Sequence, residues 1–220
     1  MTELGALADR TFSAVIFDMD GTLIDSTPAV ERSWRIWAAE FGLDVDDLAS
    51  AHGIPAETTA RRLVRADRVD EAVARINEIE LDDLDGVTLL PGAQEALDAL
   101  TDDRRAIATS CTRPLFEARI AAAGFPRPGI IVTADDIEHG KPHPDPFLRG
   151  AELLGFDPRE CLVFEDAPGG VAAARAAGCP VIGLTTTSGP EGLAEADAII
   201  GSLADIRLVQ TQEGIRLQPA

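Results

Sequence analysis

Apolar residues recur along the chain in two rhythms. Short runs rich in Val, Ile, Ala and Phe appear at Ser13–Phe17, Ala106–Thr109, Gly129–Thr133, Cys161–Glu165, Val181–Leu184 and Ala198–Ile200. Runs of that kind suit strands buried on both faces. Between them, the segments Gly92–Leu100, Pro114–Ala123, Asp145–Leu154, Gly169–Ala177 and Glu191–Ala196 carry amphipathic helical patterns. Several begin after Pro or Asp and end near Gly124, Gly155 or Gly178, as helix start and stop chemistry requires. The alternation predicts an α/β fold, a doubly wound parallel sheet with helices on both faces.

One segment departs from this rhythm. From about Thr27 to Gly86 there are only helical patterns, such as "AVERSWRIWAAEFG" and "ETTARRLVRADRVDEAVARINEIELDDL". The expected organisation is therefore a core of residues 1–26 and 87–220 with a helical insertion of residues 27–86. Trp34 and Trp37, three apart on a helical pattern, read as packing residues of that insertion. The tail "IRLVQTQEGIRLQPA" alternates weakly, as either a terminal hairpin or a frayed end.

Composition narrows the function. The 220 residues carry a formal net charge of −19, which repels nucleic acid and anionic membranes, so neither is an expected partner. No apolar run approaches the ~20 residues of a membrane span, and the start "MTELGALADRTF" lacks a signal-peptide pattern. A soluble cytoplasmic protein is the expectation. Cys111, Cys161 and Cys179 have neither disulfide-framework nor zinc-ligand spacing and read as small buried residues. Every basic residue is arginine except Lys141. A compact ammonium at one place in such a chain points to a site that a guanidinium does not fit.

In a doubly wound sheet, ligands bind beyond the carboxyl ends of the strands. The polar residues there are Asp18 and Asp20 after the first strand, Thr109 and Ser110 after the second, Lys141 in the loop after the third, and Glu165 and Asp166 after the fourth. Convergence would gather acids, hydroxyls and one ammonium in a small volume. Such negative charge requires protons or a hard cation, and oxygen-only ligands select Mg²⁺ over zinc. Hydroxyls and an ammonium suit the oxygens of a phosphoryl group, with one carboxylate to attack phosphorus and another to manage the leaving group's proton. Gly21 permits the sharp turn after the acids, and Thr22 is expected to tie it together.

The chain resembles the haloacid dehalogenase superfamily of phosphotransferases over essentially its whole length. "DMDGT" matches the first motif, "ATS" at Ala108–Ser110 the second, "KPHPDP" from Lys141 the third and "EDAPGG" from Glu165 the fourth. The resemblance implies Asp18 as nucleophile and Mg²⁺ ligand, and Asp20 as general acid/base that also lends its backbone carbonyl to the metal. It further implies phosphate binding by the Thr109 hydroxyl and the Ser110 N–H. Lys141 would bridge nucleophile and phosphoryl oxygens, and Asp166 would ligate Mg²⁺ with Glu165 in support.

By the same resemblance the insertion is a small α-helical cap that closes over the site. Its expected specificity segment is Ala51–Leu63, where His52 and Gly53 would touch substrate. That segment and the motif contexts look most like sugar- and polyol-phosphate phosphatases, acting on a small phosphorylated metabolite. A phosphonate hydrolase would need a cap lysine, which is absent, and a dehalogenase would lack Asp20. A β-phosphoglucomutase-like enzyme is the runner-up: it would place an arginine where Ala56 stands, although Arg61 and Arg62 are near. A non-catalytic relative would be expected to lose Asp18, Asp20 or Asp166. The sequence leaves the oligomeric state open, a monomer being compatible with it.

Overall fold

The computed structural model describes residues 4–44 and 56–220. Its elements run β1 (Ala14–Phe17), β2 (Ile24–Asp25), α1 (Thr27–Phe41), α2 (Ala56–Leu63), α3 (Val69–Asp82), β3 (Thr88–Leu89), α4 (Ala93–Asp98), β4 (Arg105–Ala108), α5 (Arg113–Ala123), β5 (Ile131–Val132), α6 (Asp145–Leu154), β6 (Cys161–Glu165), α7 (Pro168–Ala177), β7 (Val181–Leu184), β8 (Ala198–Ile200), β9 (Ile206–Thr211) and β10 (Gly214–Pro219).

Six strands form one parallel sheet in the order β5-β4-β1-β6-β7-β8. β1 is central, and the side chains along it serve two cores in alternation. Val15 and Phe17 join Ile107, Phe164 and Ile182 beneath Leu97, Phe116 and Ile120 of α4 and α5. Ala14 and Ile16 face the opposite way, onto Phe147 and Ala151 of α6 and, through Val163, Val171 of α7. The uniform apolar character of β1 follows from burial on both faces. The chain builds outward from β1 to β4 and β5, then resumes at β6 on the other side. Such a reversal leaves a crevice at the carboxyl ends of β1, β4 and β6.

One expectation needs correction, and one choice left open is decided. Glu191–Ala196 is not a helix: the segment is a succession of turns closed by Gly192 N–H to Gly189 O, Leu193 N–H to Pro190 O and Ala196 N–H to Leu193 O. Glycines on either side of Glu191 and a proline before it favour separate turns, and only Leu193 needs the interior. The tail is ordered: β9 and β10 pair as an antiparallel hairpin, which buries Leu208, Ile215 and Leu217 against the core. Phe12 and Ile215 exchange backbone hydrogen bonds of 2.8 Å, so the tail is sewn to the residues just before β1.

Between β2 and β3 the described residues form helices and the short connections between them. α1, α2 and α3 enclose their own apolar cluster, in which Trp34, Trp37, Ala60, Val69, Ala72 and Ile76 meet. Trp37 is fully buried and donates its indole N–H to Ala72 O at 2.8 Å, so both tryptophans are packing residues as expected. The long helical stretch after residue 56 is divided by a 3-10 turn at Ala66–Arg68. The division lets Ala60 of α2 and Ile76 of α3 enter one apolar cluster with Trp34 and Trp37 of α1. At the root of the insertion, β2 and β3 pair antiparallel, Ile24 with Leu89 and Asp25 with Thr88. These two-residue strands are too short to show a period in the sequence.

Candidate active site

The first strand does not end cleanly at Phe17: Asp18 N–H still donates to Phe164 O at 3.0 Å. That extra ladder bond fixes Asp18 at the lip of the crevice. The chain then turns on the Met19 carbonyl, which accepts from the N–H groups of Thr22, Leu23 and Ile24. Thr22 therefore does not tie the turn through its side chain. Its hydroxyl donates at 3.2 Å to Asp166, 144 residues away. Gly21 sits in this turn with φ 87°, and a Cβ there would lie 2.2 Å from Asp166 Oδ2. The glycine is required twice, by its backbone conformation and by the nearness of that carboxylate.

Lys141 reaches the same point from the loop after β5. Its ammonium is buried, contacts Asp18 Oδ1 at short range, donates to Glu165 Oε1 at 2.6 Å and lies over the Phe147 ring. Glu165, the last residue of β6, uses its other oxygen to accept from the N–H groups of Asp166 and Ala167, at 2.8 and 2.7 Å. Gly170, in the first turn of α7, makes room for this carboxylate, because a Cβ would fall 1.7 Å from Glu165 Oε1. Asp166 accepts from Thr187 at short range as well as from Thr22. Thr109, fully buried, has its N–H on Val132 O at 2.9 Å and its hydroxyl oxygen accepting from Cys111 N–H at 3.1 Å. Ser110 beside it is half-buried.

The electrostatics are those of a site short of positive charge. Ligand atoms of Asp18, Glu165 and Asp166 all lie within 4.8 Å of one another, with the Lys141 ammonium as the cation among them. Burial pushes the Asp18 carboxyl well above its ordinary range; Lys141 opposes this, while Glu165 and Asp166 add to it. Burial, then the Glu165 charge, pushes Asp166 up to about 7, against the opposing Thr187 hydroxyl, the Lys141 ammonium and the Thr22 hydroxyl. Burial would lower the Lys141 ammonium, but Asp18 and Glu165 outweigh it and raise it overall. Protons relieve this imbalance when no metal is bound, and a divalent cation would relieve it with the carboxylates ionised. The donor set is all oxygen, so it fits a hard cation.

Asp20 stands apart from this cluster, with a different set of partners. It accepts from Ser26 Oγ at 2.6 Å, Cys111 Sγ at 3.0 Å and an Arg119 amino group at 2.9 Å. Ser26 is the N-cap residue of α1, yet its side chain bonds Asp20 and makes no cap. Burial pushes the Cys111 thiol well up, so it remains a protonated donor and no nucleophile. The residues expected after all four strands are thus brought to one crevice, while His52 and Gly53 lie outside the described residues. Thr187, Arg119 and Glu80 were missed by sequence reasoning. Thr187 follows the carboxyl end of β7 in "TTTSG", a position that the strand-end rule could have flagged. Arg119 and Glu80 lie inside amphipathic helices and carry no such signal.

A doubly wound sheet with a buried acid and lysine cluster at its switch point, and a helical bundle inserted directly after the first acids, defines a class of hydrolase that handles anionic groups. The model of the haloacid dehalogenase-like hydrolases matches residues 12–178, and the chain belongs to that family. Hexitol phosphatase A of Escherichia coli (strain K12) is 42% identical over 205 residues, covering 90% of this chain and 95% of that protein. Glycerol-1-phosphate phosphohydrolase 2 of Saccharomyces cerevisiae is 36% identical over 215 residues, covering 89% of this chain and 84% of that one. Among solved structures, a hydrolase from Pseudomonas syringae superposes with a TM-score of 0.78 at 27% identity, covering 88% of this chain and 95% of that chain. No helix among the described residues is long and apolar enough to cross a membrane.

Proposed function

We propose that the protein is a Mg²⁺-dependent phosphatase that hydrolyses a small sugar or polyol monophosphate through an aspartyl-phosphate on Asp18. The observation that carries this reading is the buried Asp18–Lys141–Glu165 chain beside Asp166, with Thr109 and Ser110 directly after the neighbouring strand β4. Asp18 is the nucleophile. Lys141, held by Glu165, neutralises Asp18 and the phosphoryl oxygens as they approach one another. Thr109 and the Ser110 N–H hold the remaining oxygens, and Asp20 gives a proton to the leaving alcohol and later takes one from water. Asp18 and Asp166 would hold Mg²⁺ with the Asp20 carbonyl, and Glu165 supports the site from behind Lys141. When bound, the ion supplies charge stabilisation to the transferring phosphoryl group.

Residues 27–86 act in this reading as a cap that excludes water and reads the alcohol portion of the substrate, His52 and Gly53 contributing. The relatives named for hexitol and glycerol phosphates support a polyol or sugar ester over other monoesters. A mutase reading has less support. Arg61, one of two arginines near Ala56 able to grip a second phosphate, is exposed and paired with Glu57 at 2.5 Å.

The test is phosphate release, with and without Mg²⁺, across sugar, polyol, nucleotide and glycolate monophosphates, with β-glucose 1-phosphate isomerisation followed in parallel. Metal-dependent release peaking on a hexitol, glycerol or sugar phosphate is the expected result. Isomerisation without release would transfer the chain to the mutases.

A further inference from the structure

Arg119 lies in α5 with its side chain only 4% exposed, and its guanidinium meets three separate parts of the chain. One amino group donates to Asp20 Oδ1 at 2.9 Å and to Cys111 Sγ at 3.0 Å. The other donates to Glu80 Oε1 at 3.3 Å, and Glu80 belongs to α3 of the helical insertion. A buried guanidinium is costly unless carboxylates face it, and here it has one from the core and one from the insertion. Lysine would substitute only in part, since a point charge can meet one carboxylate but cannot present two amino groups in one plane to two of them.

We propose that Arg119 is the positioning residue of Asp20, and that Glu80 sets Arg119 in place, so that alignment of the proton donor depends on the seating of α3. The proposal rests on the phosphatase reading, because it takes Asp20 as the acid. In the step concerned, an Asp18 oxygen bonds to phosphorus while the ester P–O bond breaks, its electron pair going to the alcohol oxygen. The Asp20 proton passes to that oxygen, and the alcohol leaves neutral. Water oxygen then bonds to phosphorus, the bond from phosphorus to Asp18 breaks, and Asp20 regains a proton from that water. Among the described residues, Ser26, Cys111 and Arg119 donate to the Asp20 carboxylate, and Arg119 joins it to Glu80 of α3.

The readout is the dependence on leaving group. An alkoxide needs the proton, whereas a nitrophenolate departs without it. kcat/KM reports only the steps through aspartyl-phosphate formation, so slow hydrolysis of the intermediate does not mask the effect. Wild type, Arg119→Met, Arg119→Lys, Glu80→Gln, Asp20→Asn and the Arg119→Met/Asp20→Asn double variant are assayed on glycerol 1-phosphate and on p-nitrophenyl phosphate. Arg119→Met is expected to lower kcat/KM about a hundredfold on glycerol 1-phosphate and less than about threefold on p-nitrophenyl phosphate. Arg119→Lys recovers part of the loss, Glu80→Gln shows a smaller loss with the same substrate bias, and Arg119→Met adds nothing to Asp20→Asn.

Equal losses on both substrates, or a full additional loss in the double variant, would make Arg119 a structural residue and overturn the proposal. Should Arg119→Met fail to fold, Arg119→Lys and Glu80→Gln decide, and an unchanged substrate ratio in both overturns it. A wild-type protein inactive on every phosphate ester would instead sink the phosphatase reading, which separates the two failures.

Discussion

Asp18 and Lys141 stand 123 positions apart in the chain and in direct contact in the fold, so each sets the state of the other. Asp18→Asn is expected to abolish phosphate release, since an amide cannot form the acyl-phosphate; wild-type turnover in that variant would refute the mechanism. Gly170→Ala tests the wall behind Lys141. A methyl group 1.7 Å from Glu165 Oε1 must push that carboxylate off Lys141 and off the amides of Asp166 and Ala167. The expected cost is about 1–3 kcal/mol of stability from overpacking, together with a fall in kcat that exceeds any change in KM. A denaturant titration and steady-state kinetics measure the pair. These residues show how far identity was legible at this scale. Asp18, Thr109, Lys141, Glu165 and Asp166 announce themselves by type and by position after apolar runs. Gly170 and Thr187 matter because of what lies next to them in space.

Helices α1 to α3 form a cluster apart from the two cores that flank the sheet. Trp37 is its centre, edge-on to Trp34 at 5.1 Å and stacked on Phe41 at 5.0 Å. Trp37→Ala should cost about 3–5 kcal/mol, as large aromatic truncations do. Because that apolar cluster is separate, the loss should be local. Hydrogen exchange is expected to speed up across α1 and α3 while β1 and β6 keep their protection, and uniform loss across both regions would show that they unfold as one unit. The helical character of this segment was legible from its 3.6-residue period, as was the parallel sheet from its apolar runs. The β2–β3 pairing and the turns over residues 190–195 were not. Two-residue strands have no period, and a glycine-rich segment with one buried leucine looks helical only until its backbone bonds are counted.

At the scale of the whole molecule, net charge −19 and a buried acid cluster make stability depend on protons and metal together. Asp166 is raised from 3.8 to about 7 in the folded protein. A raised carboxyl binds its proton more tightly when folded, so its stabilising effect is complete below about pH 3.8 and is lost as pH rises through about 7. Relative to Asp166→Asn, the metal-free wild type should therefore lose Tm between about pH 5 and about pH 8. Mg²⁺ should raise the wild-type Tm more at the higher pH, where the carboxylates are ionised and able to bind it. Thermal unfolding in EDTA and in excess Mg²⁺ at both pH values makes the measurement. Equal Mg²⁺ shifts at both would mean that the cluster is not the metal site.

The sequence by itself determined the class of fold and the types of residue that gather at the crevice. Strand and helix periods are local, and in a doubly wound sheet the residues just past the strands have nowhere to go but the switch point. Tertiary structure alone decided which groups those residues answer to. It joins Thr22 and Thr187 to Asp166, Glu165 to Lys141, and Arg119 to both Asp20 and Glu80. Those pairings are set by distance and burial between segments far apart in the chain, and neither quantity leaves a periodic trace in the order of the amino acids.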